Sequence, residues 1–170
     1  MLRVERSLVL PIIPITTVFF INWWARRLIV QTVDLYERVP VIKGFFSITH
    51  IRNPGAAFGL FSKLDPSYRL PFLLGTSFAA LLLIAYLLVK SGQDHWVRRL
   101  GLSFLTGGAI GNIYERLVYG EVVDYLDFYF RNYHWPSFNA ADMFITAGVG
   151  FVLLYHIFIN RGLETEESRG

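Results

Sequence analysis

The sequence contains no cysteine, and this absence excludes disulfide bonds, thiol catalysis, cysteine-ligated metal and attachment of a lipid to cysteine. The four histidines are scattered and lack the spacing of a metal site. No run of five or more lysines and arginines occurs, and the formal net charge of +3 is too small to indicate nucleic-acid binding. We therefore expect no cysteine or histidine metal centre and no nucleic-acid partner.

Charge of either sign is also scarce. Charged residues make up 17% of the chain and hydrophobic residues 54%, a balance typical of membrane proteins. Apolar stretches of about 20 residues are long enough to cross a bilayer core of roughly 30 Å. The sequence predicts a membrane all-α fold, a single domain over 1–170 with four transmembrane helices at 7–25, 70–89, 98–118 and 138–160.

The connection between the first two predicted spans, 26–69, is long and rich in β-forming residues. Val39-Pro-Val-Ile and Phe45-Phe-Ser-Ile-Thr-His-Ile alternate in polarity and are bounded by turn residues. This pattern predicts a small sheet, formed by the first loop, on the membrane surface. The short connection before the fourth span is rich in tyrosine, phenylalanine and tryptophan, as in an interfacial belt.

Two aspartates flank the loop between the third and fourth predicted spans. Asp124 closes the third span and Asp142 opens the fourth, so both must lie near the same membrane face. The first loop, with Asn53, reaches that face too. An ionisable group at membrane depth needs a partner or a function. Two neighbouring carboxylates can share one proton, which is how aspartyl hydrolases activate water.

A four-residue stride runs along the third span through Gly108, Asn112, Arg116, Gly120 and Asp124, and it predicts that most of them share one broad helix face. The alternative for the glycines is that they only allow close helix packing. Asn112 and Arg116 need partners if they are buried, because an unpaired buried polar group is costly.

Simpler interpretations also exist for the aspartates. Asp142 could cap the start of the fourth helix, where a negative charge is favourable. Asp124 could be a solvated residue at the interface. Asp127, one helical turn beyond Asp124, is expected to be solvated.

Four sequence blocks, taken in order and spacing, resemble the lipoprotein signal peptidase (signal peptidase II) family. The blocks are Asn53-Pro-Gly-Ala-Ala-Phe-Gly, Gly107-Gly-Ala-Ile-Gly-Asn-Ile-Tyr-Glu-Arg116, Gly120-Glu-Val-Val-Asp124-Tyr-Leu-Asp-Phe and Phe138-Asn-Ala-Ala-Asp142. The chain departs from the family pattern in two places. Asn22 and Arg26 stand where the family usually has an Asp-Gln-x-x-Lys-like element, and Glu115 stands where it usually has aspartate.

The resemblance implies that Asp124 and Asp142 form a catalytic dyad. It also implies that four residues hold the substrate backbone and support the dyad, namely Asn53, Asn112, Arg116 and Asn139. The expected reaction removes the signal peptide from prolipoproteins on the amino side of a diacylglyceryl-modified cysteine, with no metal or organic cofactor.

The resemblance further implies a place in the bacterial inner membrane, in contact with membrane lipid. Both termini are expected in the cytoplasm, with the sheet outside the cytoplasm and the active site near the periplasmic face. The family is sensitive to the cyclic peptide antibiotic globomycin, and we expect this chain to act as a monomer.

Two other functions remain open at this point. In a small transporter or proton-coupled channel, Asp124, Asp142 and Arg116 would form a proton relay. Such a relay predicts ionisable groups spread across the bilayer depth, whereas this chain concentrates them at one face. A catalytically inactive relative acting as a binding module ranks last, because both aspartates are present.

Overall fold

The structure, a computed structural model, describes residues 2–56, 59–90 and 95–160. In this part of the chain there are four long helices: α1 (Leu2–Thr32), α2 (Pro66–Lys90), α3 (Trp96–Tyr119) and α4 (Ala140–Leu154), which continues as a π-helix over Tyr155–Asn160. The strands are β1 (Arg38–Ile42), β2 (Phe46–Asn53), β3 (Val122–Phe130) and β4 (Tyr133–His134).

All four predicted spans coincide with helices, although the bounds differ. Within the described residues, α2 and the segment Ala140–Phe158 are long and apolar enough to cross a membrane. The stretches 7–25 and 98–118 lie inside α1 and α3. Their passage through the bilayer remains a prediction.

Helix α3 lies at the centre and packs against α1, α2 and α4. Glycines allow these close approaches, as one of the sequence interpretations proposed. A Cβ atom on Gly148 would lie 2.6 Å from the carbonyl oxygen of Gly101 on α3, and a Cβ on Gly108 would lie 2.6 Å from the carbonyl oxygen of Ala141. The backbones of α3 and α4 therefore approach closely at two points, and these contacts determine where α4 begins relative to α3.

The sheet is antiparallel with strand order β1-β2-β3-β4, and only its first two strands come from the first loop. The prediction that the first loop alone forms it is wrong. Val-Val-Asp-Tyr-Leu-Asp-Phe-Tyr-Phe after α3 is a run of β-branched and aromatic residues, and it pairs with β2. The sheet therefore combines the two loops that border the candidate site.

Helix α3 ends at Tyr119 because Gly120 takes a left-handed conformation, with φ 77°, and its N–H donates to the carbonyl of Arg116. The predicted helical face therefore holds only for Gly108, Asn112 and Arg116. Gly120 and Asp124 lie beyond the helix, and Asp124 reaches the site from a strand instead.

Asp127 is not solvated, contrary to the expectation from a helical reading. It is 1% exposed on β3, and its carboxylate pairs with Arg38 Nε at 2.9 Å and His134 Nδ1 at 3.0 Å. Because the segment is a strand, His134 lies on the neighbouring strand β4, and Arg38 on β1 reaches Asp127 from beyond β2. Asp127 therefore ties three strands together.

Candidate active site

Asp124 is the third residue of β3 and is 4% exposed. Its Oδ2 accepts a hydrogen bond from Asn53 Nδ2 at 2.9 Å, and its Oδ1 accepts one from Asn139 Nδ2 at 3.1 Å. Strand pairing places Asp124 opposite Ile51, two residues before Asn53 on β2. The register of β2 and β3 therefore brings this amide and carboxylate together.

Asp142 lies in the first turn of α4, and the cap of this helix is Asn139 rather than Asp142. The Asn139 side chain accepts from the N–H of Asp142 at 3.0 Å, and the Asp142 carboxylate accepts from the N–H of Asn139 at 3.4 Å. This reciprocal pair is a capping box. It orients the Asp142 carboxylate at the helix start.

Two asparagines connect the carboxylates. Asn112 Nδ2 on α3 donates to Asp142 Oδ1 at 2.9 Å, and its own oxygen accepts from Asn139 Nδ2 at 3.3 Å. Since Asn139 Nδ2 also donates to Asp124, the two amides form an unbroken hydrogen-bonded path between the aspartates. The charge of Asp142 also acts on Asp124 and raises its pKa.

Arg116 is 8% exposed and is held by backbone carbonyls. It donates to Gly55 O at 2.9 Å and to Asn112 O at 3.3 Å. Among the ion pairs of the described residues, none joins Arg116 to either aspartate. The guanidinium instead lines the same cavity as both carboxylates, where it favours partial negative charge on a bound group.

The cavity has a volume of about 890 Å³, and its charged and amide groups come from Asp124, Asp142, Arg116 and Asn53. The hydroxyl residues Ser137 and Thr146 line it as well. Its other walls are mostly apolar and come from the sheet, the segment before α4, and α4 itself: Phe46, Val122, Leu126, Phe128, Trp135, Phe138, Met143, Ile145 and Ala147. Carboxylates that can activate water thus lie at one edge of a space suited to an apolar or lipid-bearing ligand.

Burial, together with the smaller effect of the charge of Asp142, raises the pKa of Asp124 to about 7. Hydrogen bonds from Asn53 and Asn139 oppose the increase, because they favour the ionised form. Asp124 is therefore present in both protonation states near neutral pH. A carboxyl group in this range can act as an acid or as a base.

The raised pKa of Asp124 predicts a pH-dependent effect of Asp124→Asn on stability. Between pH 4 and 7 the unfolded state loses its proton while the folded state keeps it, so wild-type stability falls as pH rises. Asparagine does not titrate, so the stability of Asp124→Asn lacks this dependence on pH. The melting temperature of Asp124→Asn should therefore rise relative to wild type from pH 4.5 to pH 8, by an amount equivalent to at most about 4 kcal/mol.

Glu121→Gln is the control for this comparison, because Glu121 is a surface carboxylate paired with Arg52 at 3.1 Å. If the difference in melting temperature between wild type and Asp124→Asn stays constant over the same pH range, the raised pKa of Asp124 is contradicted.

All six residues singled out in the sequence lie in this one site, but the sequence interpretation missed others. Tyr125 Oη accepts a hydrogen bond from Ala140 N at 2.9 Å, and Glu115 accepts one from Val123 N at 3.0 Å. Interpreting Val122–Phe130 as a strand would have placed the side chains of Asp124 and Tyr125, which are consecutive residues, on opposite faces of the sheet. No local signal links Glu115 to the strand.

Among the described residues, no group of three or more histidine, aspartate and glutamate side chains could hold a metal ion. The side chains that converge here are two carboxylates, three amides and one guanidinium. These groups are suited to acid–base chemistry on a polar bond.

Comparison with known proteins identifies relatives over most of the chain. A model of the signal peptidase (SPase) II family matches residues 14–158. A lipoprotein signal peptidase of Desulforapulum autotrophicum is 42% identical over 156 residues, which cover 92% of this chain and 96% of the relative. That of Geobacter sulfurreducens is 46% identical over 125 residues, covering 74% and 77%.

Solved structures show the same fold. One bacterial membrane enzyme structure superposes with a TM-score of 0.77 at 29% identity, covering 86% of this chain and 87% of the other. A second bacterial membrane enzyme structure gives a TM-score of 0.76 at 29% identity, covering 88% and 93%. The four helices and small sheet are therefore the architecture of a bacterial membrane enzyme.

Proposed function

Since the chain belongs to the signal peptidase II family, we propose that it cuts diacylglyceryl-modified prolipoproteins on the amino side of the lipidated cysteine by a two-aspartate mechanism. Asp124 and Asp142 are the catalytic residues of this proposal. The observation that supports it best is the pair of carboxylates joined through Asn112 and Asn139 at the edge of a mostly apolar cavity.

The proposed reaction begins with a water molecule between the carboxylates. The ionised aspartate takes a proton from this water, whose oxygen forms a bond to the scissile carbonyl carbon. The protonated aspartate donates its proton to the carbonyl oxygen, giving a neutral tetrahedral intermediate. Transfer of a proton to the peptide nitrogen then lets the carbon–nitrogen bond break. The dyad titrates as a unit, so the two roles belong to the pair.

The surrounding polar groups have distinct tasks in this proposal. Asn53, Asn112 and Asn139 orient the carboxylates, since each donates to one of them. Arg116 faces the cavity and stabilises negative charge that develops on the carbonyl oxygen. Asn53 and Arg116 line the cavity and are placed to contact the substrate backbone as well. Asn112 and Asn139 lie behind the carboxylates and support the dyad.

The apolar walls supply the lipid contact. Met143, Ile145 and Ala147 line the cavity on α4, a helix whose span is apolar enough to cross a membrane. Acyl chains of the substrate lie along this wall and remain in the bilayer while the peptide reaches the dyad. Globomycin-type cyclic peptides occupy the same cavity as inhibitors in this proposal.

We place the enzyme in the bacterial inner membrane as a single domain over 1–170 with four spans. Both termini lie in the cytoplasm, and the sheet and dyad lie at the periplasmic face. The protein works as a monomer in this proposal. The rival transporter function has less support, because the dyad lies where α3 has ended and α4 begins, not along the middle of a helix.

The test uses purified protein in lipid with two substrates, a diacylglyceryl-modified prolipoprotein and the same precursor without lipid. We expect cleavage of the modified precursor alone, with mass spectrometry showing a released peptide that ends just before the cysteine. Equal cleavage of both precursors would contradict recognition of the lipid. No cleavage by protein shown to be folded would favour the transporter or inactive-relative functions.

A further inference from the structure

Asn22 and Glu115 form a buried hydrogen-bonded pair outside the cavity. Each is 1% exposed, and Asn22 Nδ2 on α1 donates to Glu115 Oε1 on α3 at 2.8 Å. Neither lines the cavity described above. A pair so deeply buried must be satisfied on its remaining atoms, because unpaired polar groups there are costly.

The remaining atoms of this pair bind the backbone next to each aspartate. Glu115 Oε2 accepts from the N–H of Val123, the residue before Asp124, at 3.0 Å. Asn22 Oδ1 accepts from the N–H of Ala141, the residue before Asp142, at 3.1 Å. Three hydrogen bonds in series therefore run from the strand that holds one aspartate to the helix that holds the other.

We propose that Asn22 and Glu115 are positioning residues that set the separation of Asp124 and Asp142 through the adjoining backbone. This inference rests on the proposed function and adds a second connection between the aspartates, behind the one made by Asn112 and Asn139. The inner connection joins the carboxylates themselves, and the outer one joins the main chains from which they project.

The residues around Asn22 and Glu115 favour the hydrogen bond between them. A Cβ on Gly111 would lie 3.1 Å from Asn22 Nδ2, so glycine at this position gives the amide room to reach Glu115. Arg26 Nε lies 3.3 Å from Glu115 Oε2, and its guanidinium stacks 3.5 Å over the Tyr119 ring. The carboxylate thus has a fixed cation beside it, which a buried charge requires.

The link affects rate more than binding, because neither Asn22 nor Glu115 lines the cavity. Misplacing reacting groups by about 1 Å can reduce a rate on the order of 100-fold. Loss of the link should therefore reduce kcat on the order of 10-fold to 100-fold and leave KM within about twofold.

The assignment of donor and acceptor in the three hydrogen bonds provides a specific test of the positioning role. In Glu115→Gln, one amide oxygen must serve both Val123 N–H and Asn22 Nδ2, so one donor loses its acceptor. Adding Asn22→Asp reverses the central bond: the amide of residue 115 donates to the carboxylate of residue 22, and both backbone N–H groups regain acceptors. The double variant also keeps one negative charge near Arg26, four residues along α1 from position 22.

The experiment measures kcat and KM for cleavage of a diacylglyceryl-modified prolipoprotein by wild type, Glu115→Gln, and Glu115→Gln with Asn22→Asp. We expect the single variant to lose kcat as stated and the double variant to recover to within about threefold of wild type. Thr106→Val is the control, since it removes a buried hydroxyl that bonds only within α3, to Leu102 O, and it should keep wild-type kcat. Rates are expressed per folded molecule.

Each outcome decides the matter. A double variant as slow as Glu115→Gln, an unchanged kcat in Glu115→Gln, or a loss confined to KM would overturn the positioning role. If Glu115→Gln does not fold, Asn22→Ala replaces it; this variant removes two of the three bonds and should lose kcat in the same range, whereas normal kcat would overturn the proposal. Failure of wild type to cleave, or cleavage by Asp124→Asn, would instead count against the proposed function.

Discussion

Asp124→Asn and Asp142→Asn are each expected to abolish cleavage, with a loss on the order of 10⁴-fold at the upper end of what acid–base groups contribute. The mechanism needs one ionised and one protonated carboxyl group on the same water. An amide at either position can neither accept a proton from the water nor donate a proton to the carbonyl oxygen as a carboxyl group does. The expected result is an inserted, folded protein without activity, measured by the conversion of lipid-modified precursor on a gel.

Asp127→Asn is a matched control for these variants. It lies on the same strand as Asp124 and is 1% exposed, but its carboxylate pairs with Arg38 and His134 and does not line the cavity. We expect a lower melting temperature for it, because the amide makes weaker hydrogen bonds to Arg38 and His134 than the carboxylate does. Its cleavage rate per folded molecule should remain near wild type. Activity within tenfold of wild type in either dyad variant would show that the dyad is wrongly assigned.

Gly148→Leu should prevent the protein from accumulating in a folded form. A Cβ at this position would lie 2.6 Å from Gly101 O and 2.9 Å from Leu105 Cγ, and the first of these atoms belongs to the backbone of α3. Overpacking of this kind costs about 1–3 kcal/mol even for smaller additions, and a branched side chain adds more. The separation of α3 from α4 would also move Asp142 away from Asn112.

Gly150→Leu is the control for this packing prediction. Gly150 lies on the same helix and a Cβ there meets nothing within 4 Å, so the same side chain fits without a clash. We expect Gly150→Leu to melt at or above the wild-type temperature and to retain activity, since leucine is a better helix former than glycine by roughly 1 kcal/mol. Equal amounts of folded Gly148→Leu and Gly150→Leu protein would refute the close contact of α3 with α4.

The sequence predicted the helices well, because long apolar stretches give a strong and local signal. The segment after α3 was misread for a physical reason. The spacing of Gly108, Asn112 and Arg116 continues through Gly120 to Asp124, and only the left-handed conformation of Gly120 ends the helix at Tyr119. Once Val122–Phe130 is a strand, the burial of Asp127 follows.

The convergence of the site residues could be expected from chain connectivity, but their bonds could not. Asn53, Asn112 and Asn139 come from β2, α3 and the cap of α4, and no sequence pattern indicates which carboxylate each one contacts. The bond between Asn22 and Glu115 joins residues 93 positions apart. Their identities stood out as departures from the family pattern, but only the fold shows that they bind the two backbone segments next to the aspartates.

The pairing of β2 with β3 also determines when, during synthesis, the protein can become active. Residues 46–53 leave the ribosome long before residues 122–130, and α2 and all of α3 are made in between. Domains form from the amino terminus onward, so β2 can pair with β1 early but with β3 only after two further helices have been synthesised. A nascent chain that stops short of α4 has Asn53 and Asp124 but no second carboxylate. Proteolytic capability should therefore appear only near the end of translation, after every helix has been made.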